Sequence, residues 1–167
     1  MDLVRFFEAS RKSSFGMKKL NFILHRMIPF NKPHKLKVVQ LSPVKTIVSI
    51  PFRKSNLNHL KGLHACALAT AAEYCSGLVL LQYLNPKEYR LIMESLEVTY
   101  HYQAKMGAEA HFGIEKKEVE RDVIQPLSTE SAVFYKCQIE VHDVAQNHIC
   151  TVNTNWQIKS WDKVRMK

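Results

Sequence analysis

Apolar residues recur at roughly helical spacing over residues 2–28, with Leu3, Val4, Phe6 and Phe7 in one group and Leu20, Phe22, Ile23 and Met27 in another. The pattern breaks near Ser13–Gly16, which predicts two short helices, and Ile28–His34, with Pro29 and Pro33, ends them. The period then falls to two. Lys37–Leu41 and Val44–Phe52 read as strands joined at Ser42–Pro43, with Val44, Thr46, Val48 and Ile50 alternating with Lys45, Ile47 and Ser49. A polar loop, Arg53–Gly62, follows. Residues His64–Leu84 differ in kind, because Glu73 is their only formally charged side chain. A helix apolar all round is either wrapped by protein or crosses a bilayer. The stretch is long enough to cross, but Glu73 and Tyr74 would lie at mid-depth, and no second such segment exists. A buried helix ended by the Asn85–Pro86 turn is expected.

Tyr89–Ala104, Ala108–Ile114, Ala132–Val141 and Ile149–Trp161 read as strands, with the charged stretch Glu115–Asp122 as a helical turn or connector between them. Val133, Tyr135, Cys137, Ile139 and Val141 alternate with polar partners, the mark of antiparallel strands with one covered face. Short helices, two strands, one buried helix and four further strands make an α+β architecture. Its expected form is a curved antiparallel sheet wrapped around one long central helix. Residues 1–34 would be a helical extension and residues 35–167 a single globular domain.

Charge adds an asymmetry. The chain has 167 residues and a formal charge of +9, with 24 Lys+Arg against 15 Asp+Glu. Residues 1–54 hold twelve Lys/Arg against Asp2 and Glu8 alone, whereas residues 55–167 hold twelve basic and thirteen acidic residues. A nucleic-acid surface, an anionic-lipid surface and docking of a phosphorylated small molecule all fit such a balance. No helix-turn-helix, RNA-recognition pattern or Cys/His finger is visible, so a nucleic-acid partner is not expected. Cys66, Cys75, Cys137 and Cys150 form no CxxC pair, and free thiols without a signal peptide fit a cytoplasmic protein. His101, His111, His142 and His148 have no metal-ligand spacing, so no metal is expected.

The chemistry concentrates at Glu73. Burial disfavours the charged form, so its pKa should rise unless a partner compensates. Carboxylates in such positions are commonly functional, and the structural alternative is a Glu hydrogen-bonded to a neighbouring strand. On a helix Cys66 falls in line with Glu73 about 10 Å away, and Ala69, Thr70 and Gly77 share the stripe. Small residues there leave room either for a ligand or for close packing of another element. At the helix start the N–H groups near Ala65 and Cys66 lack helical partners and form a positive end able to hold an oxyanion. Cys66 could act as a nucleophile there, but no base accompanies it, and packing is the preferred reading.

Asn58-His-Leu-Lys-Gly62-Leu-His64-Ala65-Cys66, followed by an apolar helix with Glu73, resembles the hotdog-fold acyl-CoA thioesterases of the phenylacetate-pathway type. Those enzymes carry Asn, Gly, then His with two small residues, and an acid nine positions after the His. Tyr100-His-Tyr-Gln-Ala104-Lys105-Met-Gly107 is similar to the family's Tyr…Pro-Ala-x-x-Gly segment, and the likeness spans roughly residues 36–160. It implies that Glu73 is the nucleophile or general base, that the Ala65 N–H polarises the thioester carbonyl, and that Asn58 positions the water or the carboxylate. It also implies a homodimer or dimer of dimers (a homotetramer) paired sheet edge to sheet edge, with Asn58 and Glu73 facing each other between subunits. His64, Cys66, Thr70 and Ser95 would contact substrate. Lys61 and Lys105 would meet the phosphates of coenzyme A, with Arg53 and Lys54 on the approach. Family members often carry Gly-Gly where Ala65-Cys66 stand, and some carry Ser or Thr where Met93 stands, with Ser95 two residues on. No cofactor is expected, coenzyme A entering as part of the substrate. The reading from another class is a non-catalytic acyl-CoA or fatty-acyl binding module. A weaker rival is a protein touching an anionic membrane surface through residues 1–30.

Overall fold

A computed structural model describes residues 3–164. Two helices open the chain, α1 (Leu3–Ser10) and α2 (Ser14–Met27), as the broken apolar pattern predicts. Ser13 makes the break: it is extended, and its hydroxyl accepts the Gly16 N–H at 3.0 Å to cap α2. Gly16 lets the helices meet, because a Cβ there would run into the Ser10 carbonyl. Then come β1 (Lys37–Leu41), β2 (Lys45–Ile50), α3 (Ala65–Leu80), β3 (Tyr89–Tyr100) and β4 (Ala108–Gly113). A short helical connector follows: α4 (Lys116–Val119), a π-helical turn (Glu120–Ile124) and α5 (Gln125–Leu127). The chain closes with β5 (Val133–Asp143) and β6 (His148–Ser160).

The strands form one six-stranded antiparallel sheet in the order β1-β2-β4-β5-β6-β3. α3 lies across its concave face, chiefly on β2 and β4. The helix is shorter than expected. It has 16 residues and stops at Leu80 rather than Leu84, because the Gln82 and Tyr83 N–H groups bond back three residues, to Val79 and Leu80, and the chain tightens into turns. Tyr74 through Leu80 are all buried, so the cover predicted on every side exists for the C-terminal half of α3. Trp156 of β6 supplies much of it. Its Nε1 donates to Ser76 Oγ at 3.1 Å, and its ring lies where a Cβ on Gly77 would come within 3.2 Å. At Gly77 the small-residue stripe therefore serves close packing. Cys75 is core as well, its thiol donating to Thr46 O at 3.2 Å, and burial pushes its pKa up to about 12.

The N-terminal helices join the same apolar core, with Phe7, Leu20 and Leu24 buried alongside Leu36 and Val38. Their polar tie is Asn21. Its Oδ1 accepts the Val38 N–H at 2.8 Å, and its Nδ2 donates to Val38 O at 2.9 Å. One side chain thus occupies both outward backbone groups of an edge-strand residue, which would otherwise be open to pairing with another chain. Asn21→Ala should lower unfolding free energy by about 2 kcal/mol, through the two lost hydrogen bonds to Val38 and a third from Nδ2 to Met17 O at 2.9 Å. Urea denaturation checks this, and an unchanged midpoint would remove Asn21 from the account.

Candidate active site

The start of α3 is held from below by Asn56, which is 1% exposed. Asn56 Nδ2 donates to the carbonyls of His34 and Pro51, both at 2.9 Å, and Asn56 O accepts the His64 N–H at 2.7 Å. One buried residue, through its side-chain NH2 and its own carbonyl, therefore ties the N-terminal segment and the end of β2 to the cap residue of the helix. His64 is extended and caps the helix, its Nδ1 accepting the Cys66 N–H at 3.1 Å. An accepting Nδ1 requires the neutral ring with its proton on Nε2. The Cys66 N–H is thereby spent. The Ala65 N–H has no acceptor among the described residues, so it is the donor left at this helix end.

Asn58 opens a loop that closes on itself. Its Oδ1 accepts the N–H groups of Leu60 at 3.0 Å and Gly62 at 3.1 Å, while its own N–H donates to Gly62 O. Two backbone donors aimed at one side-chain atom fix that atom as the oxygen. The amide NH2 is what Asn58 can still offer. Lys61 takes the left-handed conformation (φ 58°) that closes the loop. Gly62 packs so near the following segment that a Cβ would lie 3.1 Å from Ala104 O, and the neighbouring Leu63 N–H donates to that carbonyl at 2.8 Å.

Two clefts flank the helix start. One, of about 380 Å³, is lined by Asn58, Ala65 and Leu68 with Tyr100, His101 and Gln103. The other, of about 260 Å³, is lined by His64, Cys66 and Thr70 with Phe30, His34 and Asn56. The Thr70 hydroxyl donates to Cys66 O at 2.7 Å. Ala65 and Cys66 are exposed, and Ala69, Thr70 and Glu73 are half-buried, so this part of the stripe is left open by the chain itself.

Glu73 is the innermost residue of that open stripe. Its carboxylate has no hydrogen bond or ion pair among the described residues, and desolvation raises its pKa above the usual 4.5. It lines neither cleft. Eight residues of helix place it about 12 Å along the axis from Ala65. Within one chain the two residues therefore stand more than two helical turns apart.

Other expected residues fall elsewhere. The sequence places Ser95 beside Met93 on the helix-facing side, but β3 carries a bulge between Met93 and Ser95. Met93 faces inward opposite Trp156, whereas Ser95 is exposed opposite Asn155, on the side of the sheet away from α3. The extra residue reverses the alternation. Lys61 and Lys105 are exposed and line neither cleft. The sequence pattern does not single out Asn56, Phe30 or His34, and His101 enters it only within the Tyr100–Gly107 segment and as a rejected metal ligand. Asn56 carries a faint signal as a second asparagine beside Asn58, whereas the others reach the helix only through the fold. No group of three or more His, Cys, Asp or Glu that could hold a metal exists among the described residues. Nor is any helix there long and apolar enough to cross a membrane.

The raised pKa of Glu73 sets a pH dependence. The protonated form carries stability that is complete below about pH 4.5 and is lost as pH rises through the higher folded-state pKa. Glu73→Gln removes that loss. Its stability advantage over the natural protein should be near zero in acid and grow as pH rises towards neutrality, measured by urea midpoints across pH. A constant difference would mean that the carboxylate ionises as freely as in water.

The sequence matches the family model described as "Domain of unknown function (DUF4442)" over residues 16–158. No curated protein matches it. Among solved structures it is similar to a Pseudomonas aeruginosa protein of unknown function, at 17% identity and TM-score 0.78, covering 86% of this chain and 95% of that one. A glutamine-to-alanine mutant of a Staphylococcus aureus thioesterase enzyme aligns at 12% identity and TM-score 0.63, covering 78% and 98%. A Haemophilus influenzae thioesterase aligns at 10% identity and TM-score 0.66, covering 89% and 94%. At such identities the likeness is one of fold, and that fold is the hotdog. With most of its length matched by one family model on that scaffold, this chain belongs to the DUF4442 family.

Proposed function

We propose that the protein hydrolyses an acyl-CoA or a related thioester, working as a homodimer or dimer of dimers. The observation that carries the reading is the half-buried Glu73 carboxylate, without a partner among the described residues, on a stripe that the chain leaves uncovered. As general base, Glu73 takes a proton from water while the water oxygen bonds to the thioester carbon. The carbonyl electron pair moves onto oxygen, where the Ala65 N–H receives it. Collapse of that intermediate breaks the C–S bond, and the proton leaves with the thiol. Direct attack by the carboxylate, through an anhydride that water then opens, uses the same groups.

The 12 Å or so between acid and donor argues for a second copy. A two-fold pairing sets the Glu73 of one chain near the Ala65 and Asn58 of the other. The edge strand β3 supports such pairing: it has 12 residues, its outer edge has no strand beside it among the described residues, and Ile92 is 47% exposed on it. In that arrangement the Asn58 NH2 would donate to the opposing carboxylate or to its water, and Lys61, Lys105, Arg53 and Lys54 would meet the coenzyme A phosphates. Two variants of the Staphylococcus aureus thioesterase carry Gln→Ala and Glu→Ala changes fifteen positions apart. Asn58 and Glu73 have the same separation here. The non-catalytic binding module draws on one observation, that the Thr70 hydroxyl proton is given to Cys66 O.

A hydrolysis screen over short, long and aromatic acyl-CoAs tests the activity. Glu73→Gln should lower turnover by about 10²–10⁴-fold while leaving ligand binding intact; binding with no turnover in the natural protein would favour the module. Subunit sharing has its own test. Glu73→Gln and Asn58→Ala, each inactive alone, should recover about a quarter of full activity when unfolded and refolded together, because half the dimers then hold one intact site. No recovery would place both groups in one chain's site.

A further inference from the structure

α2 has two opposed faces. Leu20 and Leu24 are buried. The opposite stripe, at about 100° per residue, carries Phe15, Lys18, Lys19, Phe22 and Arg26, and all five are exposed or half-exposed away from the core. Phe15 and Phe22 are 75% and 66% exposed, and Phe30, in the turn that follows, is 65% exposed. These are the three most exposed phenylalanines among the described residues. Phe7, on α1, is buried, so the exposed aromatic face belongs to α2 and its exit.

An open groove of about 710 Å³ runs between α2 and β1. Lys18, Phe22 and His25 line it from the helix, and Lys35, Lys37 and Val39 from the strand side. No acidic residue occurs between Glu8 and Glu73 in the sequence, and none of these lysines is paired with a carboxylate among the described residues. The face therefore combines unneutralised cations with protruding aromatic rings on a helix whose other side is anchored in the core.

We propose that this α2–β1 face docks on an anionic lipid bilayer. Phe15, Phe22 and Phe30 enter the boundary between headgroups and acyl chains, and Lys18, Lys35 and Lys37 receive lipid phosphates at the groove. Lysine stems suit that depth, since their methylenes lie along apolar surface while the ammonium stays with phosphate. A positive face is drawn to the negative surface potential of such a membrane, and buried aromatic area then holds it there. The lysines would attract nucleic-acid phosphates equally. The rings decide the choice: Phe15 and Phe22 stand about 10 Å apart along a convex helix, too far to stack successive bases. Phe30 also lines the cleft beside His64 and Cys66, so the docking face adjoins the start of α3. Docking holds whether or not the chain cleaves a thioester.

Flotation of the full chain with vesicles tests it. The protein should rise with phosphatidylcholine vesicles containing phosphatidylglycerol, stay behind with phosphatidylcholine alone, and be released from the former by high salt. Lys18→Glu with Lys35→Glu should weaken binding by about 25-fold or more, at about fivefold per cation lost. Phe15→Ser with Phe22→Ser should weaken it roughly tenfold or more, through lost apolar burial. Phe22→Trp keeps the bulk of the ring and should give blue-shifted emission with anionic vesicles. Absence of flotation with both vesicle types overturns the proposal, and so does binding insensitive to the paired Phe→Ser change. Retention of single-stranded DNA at the same salt by a protein that leaves anionic vesicles behind would also overturn it, in favour of a nucleic-acid surface.

Discussion

The candidate site depends on how α3 is seated on the sheet, lying chiefly on β2 and β4 and sealed at its C-terminal half by β6. Trp156 lies on Gly77 and donates to Ser76, and the hydroxyls of Ser76 and Thr154 stand 3.4 Å apart. These contacts bring helix and strand together at the C-terminal half of α3, where a side chain on residue 77 would push the indole away. The stripe from Ala65 to Glu73 stays open, and the carboxylate sits where water is partly excluded yet no described donor of its own chain answers it. Its raised pKa follows from that seating.

The second constraint is the set of turns that delivers the chain to the helix start. Asn56 is buried and holds three backbone groups, and Asn58 spends its carbonyl oxygen on its own loop. Both asparagines do structural work, and for Asn58 it is work that a motif reading assigns to chemistry. The two roles coexist in Asn58, because an amide has two ends: the oxygen shapes the loop, and the NH2 is left for whatever lies opposite. His64 is similar. It orients the helix start by capping, and by taking the Cys66 N–H it leaves that of Ala65 as the free donor.

The lipid-facing proposal and the hydrolysis proposal meet at Phe30. The N-terminal segment is tied to the body by Asn21 at one end and by the His34–Asn56 contact at the other, with Nδ1 3.1 Å from Oδ1. Those ties fix which side of α2 faces the core. The Phe and Lys side chains opposite are consequently displayed together, on a surface contiguous with one cleft.

Local pattern determined a good deal of this protein. The two N-terminal helices, all six strands and the apolar helix holding Glu73 follow from hydrophobic spacing, because spacing reports which side of an element is covered. The isolated acid could be singled out for the same reason, since a charge among aliphatic neighbours stands out without any coordinates. Tertiary structure decided the rest. A one-residue bulge, invisible in composition, turned Ser95 to the far side of the sheet, and i→i−3 bonding ended α3 at Leu80. The small-residue stripe was ambiguous as sequence, and packing divided it, with Gly77 beneath an indole and Ala69, Thr70 and Glu73 open. Such outcomes depend on contacts between residues far apart in the chain, and periodicity carries no record of which distant side chain arrives to fill a given gap.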